Sequence, residues 1–170
     1  MTRRRLPILC AMTLLGLGLT ASSPLAQPDH QLTVPVSFGR GLNTAQPGNA
    51  VNHVILPDDI HVKAGGVVHF LVAGLHQVVV YNPGTTPEDI VIPPENPFFI
   101  NDPTTPTTNQ FYLGIVPAGG PPGTPATINP SNAMNRLESV TIGDPGTYLV
   151  ICNVRQHFQD GMFAFVRVTP

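Results

Sequence analysis

Residues 146–168 read GTYLVICNVRQHFQDGMFAFVRV. The two ends, 147–152 and 162–168, are dense in β-branched and aromatic residues, the pattern of paired strands. Cys152, His157 and Met162 stand between them in the spacing Cys-x4-His-x4-Met. A strand, a short link and a returning strand bring one thiol, one imidazole and one thioether to the same end of a sheet. Gly161 has no Cβ, so the backbone can pass close to such a cluster.

Upstream the same rhythm repeats. Strand-like segments cover 31–38, 51–56, 60–63, 67–72, 77–81, 111–116 and 137–142, with Pro57-Asp58-Asp59 and Gly65-Gly66 as turns. No stretch carries a convincing helical period. Seven or eight short strands at this spacing predict an all-β fold, an antiparallel Greek-key β-sandwich, with Pro35 marking its first strand as an edge. Residues 82–136 break the rhythm as a flap inserted in one domain, 27–170. Twelve of the twenty prolines fall within 82–130, which rules out a regular helix there. Phe98, Phe99, Ile100, Phe111, Tyr112 and Ile115 call for burial, so the flap is expected to be ordered over one end of the sandwich. A short helix is expected near 131–137.

The first 26 residues read as a cleaved signal peptide. Arg3, Arg4 and Arg5 precede an apolar run over 6–20, and small residues follow at Ala21, Ser22, Ser23 and Ala26. That run is shorter than the ~20 residues of a membrane span, so a periplasmic or secreted protein is expected. Thr2 to Leu6 faintly resembles a twin-arginine signal. Without the leader, five basic residues remain against ten acidic ones, a net charge of −5. Nucleic acid is excluded as a partner, because phosphate binding needs a basic surface. Cys10 leaves with the leader, so Cys152 is the sole thiol and no internal disulfide can form.

Soft sulfur donors with imidazole select copper, and two histidines, one cysteine and a weak axial methionine form the ligand set of blue-copper sites. The second imidazole is best supplied by His76 in GLHQVVVYNPG, residues 74–84, at the start of a separate strand. His53 is the next candidate. His61 and His69 lie in or beside strands, with His69 expected on the solvent face, and His30 falls near the mature N-terminus. A thioether suits zinc poorly. Asp58-Asp59 and Glu88-Asp89 read as solvated turns. No nucleophile–histidine–carboxylate order, phosphate loop or framed carboxylate pair is present, so the chain reads as no enzyme.

With these residues in view, Gly146-Thr147-Tyr148, Cys152, His157 and Gly161-Met162-Phe163 resemble the C-terminal copper loop of the cupredoxins, in spacing most like the rusticyanin branch. His76-Gln77-Val78-Val79 and Val62-Lys63-Ala64-Gly65 are similar to the family's first-histidine segment and the turn before it. The resemblance implies one type 1 copper held by His76, Cys152, His157 and Met162, in a one-electron carrier. It further implies that His157 is the electron port, ringed by apolar residues such as Phe158, Leu75 and Pro117-Ala118. Redox protein partners would dock transiently on a monomer with no stable membrane insertion. Ile151 and Asn153 flank Cys152 where multicopper oxidases and nitrite reductases carry a histidine, and a dinuclear centre would need a second cysteine. Gln77 replaces the family's usual Asn or Ser, which puts its link between the ligand segments in question. Arg155-Gln156 replaces Pro-Gly, with Arg155 expected in solvent. Two alternatives remain: a periplasmic copper-binding or delivery protein without redox cycling, and a metal-free sandwich that binds protein through its flap.

Overall fold

The computed structural model describes residues 31–39, 53–117 and 134–170. The signal-peptide segment 1–26 and residues 131–133 of the expected helix lie outside them. Nine strands are present among the described residues: β1 (Thr33–Gly39), β2 (Ile55–Leu56), β3 (Asp59–Lys63), β4 (Gly66–Ala73), β5 (Val78–Tyr81), β6 (Gln110–Leu113), β7 (Asn135–Ile142), β8 (Gly146–Cys152) and β9 (Phe163–Thr169). A single helical turn, α1 (Arg155–Gln159), joins β8 to β9. Asn135 to Leu137 belong to β7, so no helix forms where one was expected at those positions. Their alternation with Glu138, Val140 and Ile142 suits a half-buried strand.

The strands make two facing sheets, ordered β2-β1-β4-β7 and β3-β9-β8-β5-β6. Both sheets are mixed, where a wholly antiparallel sandwich was expected. β1 runs parallel to β4, and β3 parallel to β9. The chain leaves β1 through β2, visits β3 in the opposite sheet and returns in β4 beside β1, so the two run the same way. β1 is an inner strand by order, yet β2 reaches only Ser37 and Phe38. Pro35 thus lies where β1 has β4 on one side and no described strand on the other.

Alternation fills the space between the sheets. Val34, Val36 and Phe38 of β1 and Val68, Phe70 and Val72 of β4 meet Ile60, Val62, Val78, Val80, Tyr148, Val150, Val166 and Val168 from the opposite sheet. Burying each such side chain is worth about 1.5–3 kcal/mol.

β5 and β8 depart from alternation. Val78–Tyr81 is buried throughout, as are Tyr148 to Cys152. Strands covered on both faces read as unbroken apolar runs. The second cover comes from the flap: Ile90 and Ile100 join Val79, Tyr81, Leu149, Ile151, Phe158 and Phe163 in a second core on the outer side. The described part of the flap therefore lines a sheet face and bridges Phe99 to Val154 beside the ligand loop.

Candidate metal centre

His76 lies on the turn that carries the chain from β4 to β5. Gly74 adopts φ +110°, and the His76 amide donates to the Gly74 carbonyl at 3.0 Å, which tightens the turn. The ring is buried, with Phe38 edge-on at 5.9 Å between centroids. Its Nε2 lies against Gly39, where φ is +77° and an added Cβ would overlap that nitrogen. Gly39→Ala is expected to cost about 1–2 kcal/mol from the left-handed backbone alone. It should also push His76 away, weakening metal binding in a chelator competition while Gly65→Ala, in open space, does not.

Cys152 ends β8, paired with Val78 of β5. This register sets the thiol beside the His76 turn, and the Asn153 amide donates to the Gln77 carbonyl at 2.8 Å. His157 sits on α1, where a loop was expected. Arg155 donates to the carbonyls of Pro93 and Asn96 at 3.3 and 3.1 Å, so the flap holds its guanidinium. Met162 precedes β9 and is fully buried in the same core as Cys152. Its amide donates to the His157 carbonyl at 3.0 Å, and its carbonyl accepts from the Cys152 amide at 3.1 Å.

The three hard-to-place donors converge. Cys152 Sγ lies 3.6 Å from His76 Nδ1 and 3.5 Å from His157 Nδ1, and the two nitrogens are 3.0 Å apart. An ion held at ~2.0–2.3 Å by nitrogen and sulfur has donors about 3–4 Å from one another. The trio therefore fits a single metal ion, and it is the one His/Cys/carboxylate group of three or more among the described residues that does so. A thiol sulfur with two imidazoles suits copper.

Burial sets the protonation of the trio. It lowers His76 to about 3, helped by repulsion from His157, His53 and Arg136. It lowers His157 to about 4, with His53 adding to the effect and Asp160 opposing it. Cys152 is pushed up to about 12, against backbone hydrogen bonds from Val154 and Gln77 and the charge of Arg136. At neutral pH the metal-free site is one thiol and two neutral imidazoles, so loading releases about one proton, from Cys152. The two histidines also set an acid limit. An unfolded chain protonates them near 6.5, whereas the folded chain keeps them neutral until about 4 and 3. Between those values the unfolded state binds more protons, so the stability of the metal-free protein falls as pH drops through that window. A lower denaturation midpoint at about pH 4.5 than at about pH 7 is the expected result, and its absence in the His76→Leu/His157→Leu variant assigns it.

Hydrogen bonds lock the ligand segments together. Gln77, fully buried, accepts from Asn153 Nδ2 through Oε1 at 2.8 Å and donates to the carbonyls of Pro103 and Gly114 at 2.7 and 2.8 Å. The longer amide thus still links the two segments, and it reaches the flap as well. Asn153 Oδ1 accepts from the backbone and side chain of Asn101, both at 2.9 Å. Behind His76, Arg136 and Glu138 form a buried ion pair at 2.6 Å, with side chains 5% and 0% exposed. Arg136 Nη2 donates to the carbonyls of His76 and Ile115 at 2.9 Å, and Glu138 Oε2 accepts from Tyr112 at 2.8 Å. The sequence reading missed this pair. The signal was present: positions 136 and 138 share the inward register of Val140 and Ile142.

The remaining histidines divide. His69 lies on the outer face of its sheet, bonded to Ser139 at 2.7 Å, as expected. His61 is exposed beside Asp59. His53 packs at the centre itself, and His30 lies outside the described residues. Of the residues expected around the His157 edge, Leu75 and Phe158 are half-buried, Pro117 is buried and Ala118 is not described.

No family model and no curated protein matches the chain. Solved structures do. The dithionite-reduced auracyanin from the photosynthetic bacterium Roseiflexus castenholzii aligns with 83% of this chain and 99% of its own, at a TM-score of 0.50 and 18% identity. The chain has the cupredoxin fold. Lesser likenesses include a purple cupredoxin from Nitrosopumilus maritimus, with 10% identity, a TM-score of 0.41 and coverage of 80% and 99%. A copper-containing nitrite reductase from Thermus scotoductus SA-01 aligns with 92% of this chain but 25% of its own, at 16% identity and a TM-score of 0.39. Within this cupredoxin sandwich, the donor trio sits where the β4–β5 turn meets the β8–β9 return.

Proposed function

We propose that the chain is an exported copper protein that carries single electrons between redox proteins. The observation that carries this reading is the convergence of Cys152 Sγ, His76 Nδ1 and His157 Nδ1, spaced 3.0–3.6 Å apart. His76, Cys152 and His157 would hold the ion, with the Met162 thioether as a fourth, weaker donor. Copper, when bound, supplies a one-electron couple. The chain's own part is to hold the donors so that little moves between the two oxidation states. Phe38 and Gly39 fix His76 from one side, and the Gln77–Asn153 amide pair ties its turn to Cys152.

Ile151 and Asn153 beside Cys152 support a solitary centre with no attached catalytic copper. Docking would be transient and small, as is usual for redox encounters. No described helix is long and apolar enough to cross a membrane.

Titration of the pure metal-free protein with Cu(II) tests the proposal. An intense band near ~600 nm is expected, arising from the Cu–thiolate bond. Reversible bleaching and return of that band with a reductant and an oxidant would support electron carriage. Copper bound without colour or cycling would favour storage or delivery instead, and no binding would leave only a metal-free sandwich.

A further inference from the structure

A third histidine stands at the centre without a place in the ligand set. His53 comes from the segment just before β2, in the sheet opposite β8 and β9. Its ring lies on that of His157, with centroids 3.7 Å apart and planes 26° from parallel. It meets His76 edge-on at 6.4 Å. Its Nδ1 is bonded to Asp160 Oδ2, and the side chain is 26% exposed.

Asp160 is the residue on which this arrangement turns. It lies three positions after His157, and its amide closes α1 on the Gln156 carbonyl at 3.0 Å. Its other carboxylate oxygen accepts from Gln156 Nε2 at 2.9 Å. His53 thus grips the His157 turn at two points, the face of the ring and the carboxylate that ends the helix. His157 Nδ1 is turned inward to Cys152 and His76, so the stacked ring covers a face and leaves the donor atom free. α1 needs such an external hold. It is one turn long, too short to persist on propensity, and none of its residues is fully buried.

We propose that His53 is a positioning residue, a clamp from the opposite sheet that fixes the His157 imidazole before and after metal loading. The proposal rests on the reading of His157 as a ligand, but its first test needs no metal. In the metal-free protein with ¹³C-labelled histidine, ring relaxation reports the order of His157. His53→Ala is expected to lower that order while leaving the amide spectrum of β5 and β8 in place. His53→Phe should restore most of it by keeping a ring on the ring, and Asp160→Asn should give an intermediate value. With copper bound, His53→Ala should release the ion to a chelator about 10–100-fold faster, the usual effect of losing a residue that orients a ligand.

An unchanged His157 ring in His53→Ala would overturn the clamp. Should that variant not fold, full ring order in Asp160→Asn together with a wild-type copper release rate would overturn it equally. A wild-type chain that takes up no copper would end the copper reading, while the ring-order comparison still decides the clamp.

Discussion

Cys152→Ser is expected to lose the intense visible band completely, even if the two histidines still hold some copper. The band depends on a sulfur–copper bond, and Cys152 is the one free cysteine among the described residues. A serine hydroxyl at the same place is a hard, neutral donor that suits copper poorly beside imidazole. The fold should survive, because the residue is small and the backbone bonds at 152 and 153 do not involve the side chain. Metal-free Cys152→Ser should therefore unfold near the wild-type midpoint, and the absorption spectrum after Cu(II) addition gives the result. A blue Cys152→Ser protein would show that the thiolate assignment is wrong. Met162→Leu makes the contrast, since the buried thioether is assigned a weak bond and the colour should remain.

The largest loss of stability is expected from Arg136→Ala. Breaking a buried ion pair by removing one partner costs about 3–5 kcal/mol, because the other charge stays buried and unpaired. Glu138 would be that charge, with its side chain 0% exposed and wedged where Gly114 has no Cβ to oppose it. Two carbonyls, those of His76 and Ile115, would lose their donor as well. Denaturant titration of the metal-free protein measures the loss. The double variant Arg136→Met/Glu138→Leu should recover part of it, since no lone charge remains. If Arg136→Ala unfolded at the wild-type midpoint, the pair would not be buried in solution.

Much of this architecture is legible in the sequence. Apolar alternation placed the strands to within a few residues, and the Cys-x4-His spacing picked out two of the three donors that converge. His76 could be selected because a strand begins two residues after it. What alternation could not convey was direction: a parallel β1–β4 pair looks the same along the chain as an antiparallel one. The double cover of β5 and β8 was written in VVVY and YLVIC, yet the residues that supply it lie in a proline-rich stretch with no period of its own. The sequence offers His53 only as an alternative second imidazole, because its stacking on His157 is a contact across 104 positions. A single imidazole next to a strand carries no sign of the ring it will touch. Arg136 and Glu138 stood in the inward register of β7, where two charges in a row are best satisfied by each other.

The sealing of β5 and β8 on both faces has a consequence for how an ion could reach its place. Deuterium should enter the amides of Val78–Tyr81 and of Leu149 to Cys152 last, since opening them means lifting both a sheet and the flap. The single turn of α1 has no such cover and should exchange early. Cys152 thus belongs to the slow part of the molecule, with the buried His76 on the turn beside it, and His157 to the fast part. A brief unwinding of one helical turn would uncover a finished two-donor floor and let an ion in, with the sandwich never coming apart.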